Sequence, residues 1–450
     1  MKLVKLDVNE TYRATGDLPA VVPGEDPIWF LDEEDRREHV IRCTSECVLM
    51  VYSSKDSELG NLQASTHNVR EVLTRGAWFR GMFKTNLRGG YPELHRPIPT
   101  RCPEPLPKPR PLTDGDVLQV ATVLEWIFER ALSRDAVHAV IESVARENAY
   151  DPVADWLNRL QWDGEPRIER WLQKAYGAED SEFTQAVGSK WMVSAVARAL
   201  DPGCQVDTCL VLFGGQGVGK TTGLRALSQG WYVEGIGDMH SKDSIMELQQ
   251  GWIVELAELA AAMKSEQEQI KLFLSRPIDT YRPPYGKLTI QSPRRQVFAA
   301  TTNDPGFLKD ATGSRRFWCV DVSRPVMSAD DVVAWIRNAA PQMWAEAVQW
   351  YRDGVPWHLN AQVAEQARIA AEGFREELPW ELEVRRVLHE QSHDGIPSPD
   401  AWREAVAGSD AKLSELTGPV RREITHTLKA IGEKRYAQGS RTRKWFPKTA

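Results

Sequence analysis

The spacing of apolar residues changes character twice along this chain. Between 117 and 141 they recur at helical spacing with little Gly or Pro, which predicts helix, and Leu112-Thr-Asp-Gly-Asp116 just before has the composition of a helix cap. Short helical stretches broken by Asp-Gly and Pro follow at 150–157, 162–167 and 183–200. From 208 to about 323 the pattern switches to continuous apolar runs, at 208–213, 251–258 and 295–303, separated by helical segments. Runs of that kind are buried strands, and their alternation with helices predicts an α/β fold with a parallel sheet. Between the second and third runs, Tyr281-Arg-Pro-Pro-Tyr-Gly-Lys-Leu-Thr-Ile290 predicts a β-hairpin. A polar, Glu-rich helix at 361–378, a helix at 420–430 and a hairpin at 434–447 complete the pattern.

Composition narrows the classes. With 63 acidic against 56 basic residues the net charge is −7, so any nucleic-acid contact must come from local patches or the inner surface of an oligomer. The six cysteines lack a C-x-x-C pair and nearby histidines at zinc spacing, which predicts free thiols in a reducing compartment; Cys43 and Cys47, the one close pair, are read as buried and structural. There is no signal-like run at the N-terminus and no stretch near the roughly 20 apolar residues of a membrane span, so the expectation is a soluble, cytoplasmic protein. Seven prolines between 97 and 111 exclude helix and favour an extended linker. The aromatic-basic patch Trp78-Phe-Arg-Gly-Met-Phe-Lys84 is read as core with solvated charge rather than a base-stacking surface.

The strongest chemical signal follows the first apolar run. Gly214-Gly215-Gln216-Gly217-Val218-Gly219-Lys220-Thr221 is a complete G-x-x-x-x-G-K-[ST] phosphate loop, and Thr222 opens the helix behind it. Its glycines let successive N–H groups face a β-phosphate, Lys220 reaches the β/γ oxygens, and the Thr221 hydroxyl can ligate Mg²⁺. The expected cofactors are therefore ATP and Mg²⁺. The second run ends in carboxylates, Glu255 and Glu258, either of which can hold the metal through water and orient the attacking water. The third ends at Asn303, whose amide suits sensing of the γ-phosphate. Further on, Thr312-Gly-Ser-Arg-Arg-Phe-Trp318 presents Arg315 and Arg316, guanidinium groups suited to a transferring phosphoryl group across a subunit boundary. Tyr285 and Lys287 at the hairpin tip suit base stacking and a phosphate contact. Residues 411–450 hold ten Lys and Arg against three Glu, and the hairpin bearing Arg441, Arg443 and Lys444, behind a helix, suggests a winged helix on DNA.

Taken in order, Tyr150-Asp-Pro-Val-Ala-Asp-Trp, Trp162-Asp-Gly-Glu-Pro-Arg, 196–207, the phosphate loop, Tyr281-Arg-Pro-Pro-Tyr-Gly, Thr301-Thr-Asn303 and Thr312–Trp318 resemble the virulence-associated protein E family of phages and mobile elements, related to superfamily 3 helicases within the AAA+ ATPases. The resemblance implies an ATP-driven hexameric ring moving on single-stranded or origin DNA in a bacterial host cell, with a primase or loader as a further partner. The alternative is a DNA-binding ATPase switch or assembly factor that does not unwind. The expected organisation is an α/β P-loop NTPase (AAA+-like) core with a parallel sheet at 201–325. An α+β accessory domain at 1–96, the linker at 97–111 and a helical lead-in at 112–200 precede it; a helical extension at 326–380 and a winged-helix-like domain at 381–450 follow.

Overall fold

A computed structural model describes residues 2–5, 40–41, 43–51, 62–100, 104–235, 241–256, 269–282, 289–308, 314–374 and 381–390, with short pieces at 425, 427–429, 432–436 and 443–447. By its internal contacts the chain forms two compact units, one of residues 1–160 with 245–251, the other of residues 161–244 with 252–450.

In the first unit, β1 (Lys2–Lys5) pairs antiparallel with β2 (Val48–Val51). The helix α1 (Thr66–Arg75) follows, and β3 (Phe83–Asn86), β4 (Tyr91–Leu94) and β5 (Arg110–Pro111) make a three-stranded antiparallel sheet. The described residues of the proline-rich stretch form no helix, and its last two, Arg110 and Pro111, join this sheet. The apolar stretch at 117–141, expected as continuous helix, is two helices, α2 (Asp114–Phe128) and α3 (Arg134–Glu147). The break has a local cause: Glu129 adopts the left-handed conformation at φ 53°, and the Ser133 side chain caps the next helix at the Ala136 N–H. The start of α2 is as its composition predicts, with Thr113 and Asp116 forming a reciprocal capping box, tightened by Arg110 on the Asp116 carboxylate at 2.6 Å.

Trp78, Phe79 and Phe83 are buried while Arg80 stands outside, paired with Glu46, so the aromatic-basic patch is core with solvated charge. Cys43 and Cys47 are free and buried, and burial pushes both thiols up to about 12. Arg88, 1% exposed, donates to Asp151 and to the Gly251 carbonyl, both at 2.8 Å, while Asp151 caps α4 (Pro152–Arg159).

The second unit is built on a five-stranded, wholly parallel sheet. Its strands are β6 (Cys209–Phe213), β7 (Tyr232–Glu234), β8 (Ile253–Leu256), β11 (Val297–Thr302) and β12 (Phe317–Asp321), in the spatial order β12-β6-β11-β8-β7. The three continuous apolar runs of the sequence are its three central strands, buried as two-sided coverage requires. The helices α5 (Trp171–Tyr176), α6 (Glu182–Leu200), α7 (Lys220–Leu227), α9 (Ala329–Arg352) and α10 (Ala361–Glu372) accompany it, and α8 (Lys242–Gln250) lies between β7 and β8 in the chain. Buried indoles tie the layers together: Trp191 donates to the Phe298 carbonyl, Trp252 to Ala195 and Trp344 to Leu227, each at 2.9 Å. Trp162-Asp-Gly-Glu-Pro-Arg167 is a local turn in which Arg167 pairs with Asp163, and the buried Glu346 of α9 accepts the N–H groups of Arg167 and Ile168.

A hairpin closes at the predicted place: β9 (Ile278–Tyr281) and β10 (Ile290–Pro293) pair antiparallel with Tyr281 against Ile290, while 283–288 lie outside the described residues. A further helix, α11 (Glu381–Glu390), precedes the antiparallel pair β13 (Gly432–Tyr436) and β14 (Arg443–Pro447). That hairpin starts two residues earlier than its predicted bound. The remainder of the expected winged helix, 391–424, lies outside the described residues.

Candidate nucleotide site

The chain leaves β6 at Phe213, turns through 214–219 and enters α7 at Lys220. Gly217 and Gly219 hold φ at 78° and 81°, a conformation nearly reserved for glycine, and this curls the loop back over the start of α7. The loop is anchored at its entrance, where the Gly214 N–H donates to the Thr302 carbonyl at 3.1 Å. Behind it, Gly223 leaves room for the buried Tyr176, whose hydroxyl stands 2.1 Å from where a Cβ would be; any side chain there would push α7 off its support. Lys220 folds back on its own loop, donating to the Gly214 and Gly215 carbonyls at 2.8 and 2.7 Å. Burial lowers its pKa from the ordinary lysine value and Glu255 partly restores it.

The register of the sheet brings the other groups to the same edge. Ala299 of β11 lies opposite Glu255 of β8, and Thr302 opposite Phe213 of β6. The loop therefore stands beside the ends of two further strands. Glu255, 2% exposed, is the centre of the arrangement. Its Oε1 accepts the hydroxyls of Thr221 at 3.0 Å and Thr301 at 2.5 Å, and its Oε2 accepts the hydroxyl of Tyr232. Asn303, exposed, is the first residue past β11 on that edge.

Sequence reasoning left Glu255 and Glu258 open as partners of Thr221. Glu255 makes that contact; Glu258 lies outside the described residues. Thr301 and Tyr232 were not singled out. Thr301 lies within the Thr301-Thr-Asn303 end of its strand, but a hydroxyl's role depends on which strand lies next to it, and Tyr232 belongs to an edge strand whose neighbour no spacing identifies.

Arg315 and Arg316 are elsewhere. They occupy a single 3₁₀ turn immediately before β12, and because β12 runs parallel to β6 with Phe317 opposite Cys209, they lie at the opposite end of the sheet from the phosphate loop. Five strand residues separate the two ends, about 16 Å of strand. Arg316 donates to Ser275 at 3.0 Å and is partly covered, whereas Arg315 is exposed.

The residues expected to touch DNA divide differently. Tyr285, Lys287 and Arg441 lie outside the described residues, while Arg443 and Lys444 sit on β14 opposite Tyr436 and Arg435. The base of the β9–β10 hairpin is rigidly held: Arg294, following β10, forms a paired contact at 2.8 Å with Asp279 of β9, both buried, and its guanidinium lies 4.4 Å from the Phe273 ring centroid.

Among the described residues no group of three or more His, Cys, Asp or Glu side chains could hold a metal, and no helix is long and apolar enough to cross a membrane. No curated protein matches the chain. Among solved structures, the A form apo structure of the NrS-1 C-terminal region (305–718) is 12% identical, covers 82% of this chain and 96% of that chain, and has a TM-score of 0.46. A second apo structure of the same region is 12% identical, covers 81% and 96%, and scores 0.45. At these scores the likenesses assign no residue a role. The family model of the virulence-associated protein E-like domain matches residues 157–376, which contain the whole parallel sheet, the phosphate loop and both arginines. That stretch, just under half of the chain, carries a virulence-associated protein E-like domain.

Proposed function

We propose that the second unit hydrolyses ATP with Mg²⁺ and that the protein is a DNA helicase or translocase of superfamily 3 type, working in the replication of a phage or mobile element. One observation carries the nucleotide reading: a phosphate-loop threonine and a buried strand carboxylate from different elements meet at 3.0 Å on the edge of the sheet that also bears Lys220 and Asn303. Open parallel sheets bind their ligands at that edge, outside the carboxyl ends of the strands.

The donor set fits Mg²⁺, which favours hard oxygen ligands, is held by one or two carboxylates, and takes the rest of its shell from water and substrate phosphates. Thr221 and Glu255 would hold it; when bound, the ion neutralises charge on the phosphate oxygens. The chain's own groups do the remainder. The loop backbone and α7 N-terminus receive the phosphates, and Lys220 exchanges its two loop carbonyls for phosphate oxygens. Asn303 presents its amide to the γ-phosphate or the attacking water. Arg315 or Arg316, remote from their own loop, serve the nucleotide of an adjoining copy, which requires an oligomer and accords with a hexameric ring. DNA contacts are assigned to Tyr285 and Lys287 and to the basic C-terminal hairpin with Arg441, Arg443 and Lys444.

The test is ATP turnover by the full chain, with and without single-stranded DNA, beside Lys220→Ala. Mg²⁺-dependent turnover that DNA raises and the variant lacks is expected; turnover unchanged in the variant would sink the reading. Strand displacement on a forked duplex then separates a motor from a switch.

A further inference from the structure

We propose that Tyr232 is a positioning residue for Glu255, holding one carboxylate oxygen so that the other stays aimed at Thr221 and the metal. The proposal rests on the nucleotide reading above and adds a residue that no motif contains.

The sheet register sets the geometry. β7 is the edge strand next to β8, with Tyr232 opposite Ile253 and Glu234 opposite Glu255, so Tyr232 and both glutamates share one face of the sheet. Two neighbouring carboxylates would repel one another across the strands. Arg225 of α7 reduces that repulsion by pairing with Glu234, and its guanidinium also stands 5.2 Å from the centroid of the Tyr232 ring. The tyrosine is thereby set between an arginine on one side and Glu255 on the other.

Its hydroxyl donates to Glu255 Oε2, while Thr221 and Thr301 both donate to Oε1. The donors come from β7, α7 and β11, so a carboxylate free to turn about its last bond is fixed from three directions. Without the phenol, Oε2 faces a half-buried ring with no donor, and a charged oxygen in that position gains by rotating toward water or toward the two threonines. Either rotation removes Oε1 from Thr221.

The experiment compares the full chain with Tyr232→Phe and Tyr232→Leu. It measures binding of a fluorescent ATP analogue across a Mg²⁺ titration and without metal, with thermal unfolding to verify folding. Both variants lack the hydroxyl, so both are expected to raise the Mg²⁺ half-saturation roughly ten-fold, as loss of a residue that orients a metal ligand does. Metal-free binding is expected to stay within about two-fold of the parent, as it depends on the loop rather than on Glu255. A double variant with Glu255→Gln is expected to be no worse than Glu255→Gln alone. Parental metal dependence in either folded variant overturns the proposal, as does a defect in Tyr232→Leu that Tyr232→Phe does not share, which would assign the effect to ring packing. A parent chain whose nucleotide binding is indifferent to Mg²⁺ defeats the site reading itself; a Mg²⁺-dependent parent with unaltered variants defeats only the role of Tyr232.

Discussion

The two ends of the parallel sheet are opposites in how complete they are. At the carboxyl end a helix threonine, a strand threonine and an edge tyrosine all donate to one buried glutamate, beside a lysine held by the carbonyls of its own loop. At the amino end, Arg315 and Arg316 stand on one short turn, with Arg316 held by Ser275 and Arg315 exposed. The first end satisfies its polar groups from within the chain, as a preorganised site should. The second offers cationic charge that its own phosphate loop does not meet, and the proposed function gives that charge to the nucleotide of another copy.

The sharpest test of that contrast is complementation. Arg315→Ala is expected to lower ATP turnover about 10³-fold, the scale of a trans-acting arginine, with nucleotide affinity retained. Mixing it with Lys220→Ala should restore measurable turnover, since an intact loop in one copy can meet an intact arginine in another. Equal inactivity of mixture and separate variants, with assembly verified by light scattering, would place the arginines outside the chemistry. Next in size, Glu255→Gln should cost roughly 10²–10³-fold in kcat while ATP analogue binding persists. Asn303→Ala is expected to lower kcat about ten-fold to a hundred-fold, since one hydrogen-bond donor is removed from an exposed position; an effect confined to KM would move it from sensing to binding.

Two pH effects are smaller. Burial holds the Lys220 pKa below the ordinary lysine value, so its charge, and with it triphosphate affinity, should fall at a lower pH than a free lysine would impose. A titration of analogue affinity from neutral to alkaline pH measures this, and Lys220→Arg should flatten it. In the first unit, burial would raise the Asp116 pKa, but Arg110 and the Thr113 cap outweigh it and the net direction is down. A depressed folded pKa means stability that is present above the unfolded carboxylate range and is lost as pH falls through the folded value. Asp116→Asn should therefore cost about 1 kcal/mol at neutral pH and progressively less in acid, as followed by chemical denaturation.

Legibility in the sequence was uneven, for local reasons. Gly217, Gly219, Lys220 and Thr221 were readable because their spacing and backbone conformation are one contiguous requirement. The strands of 208–213, 251–258 and 295–303 were readable because burial on two faces demands unbroken apolar runs. The break at Glu129 was not, because helical periodicity continues across it and only Ser133 marks the restart. The β9–β10 hairpin is legible from its turn residues, but the extent of its strands, out to Ile278 and Pro293, is not, because the residues that pair there carry no turn signal.

The sequence by itself determined the phosphate loop, the alternation of strands with helices and the carboxylate-bearing strand, because each is written in neighbouring residues and in local backbone preference. Only the tertiary structure decided that Glu255 meets Thr221, that Thr301 and Tyr232 join them, and that Arg315 and Arg316 lie at the far end of the sheet. Those facts depend on strand order and parallel register, which arise from packing residues tens of positions apart and leave no spacing of their own in the chain.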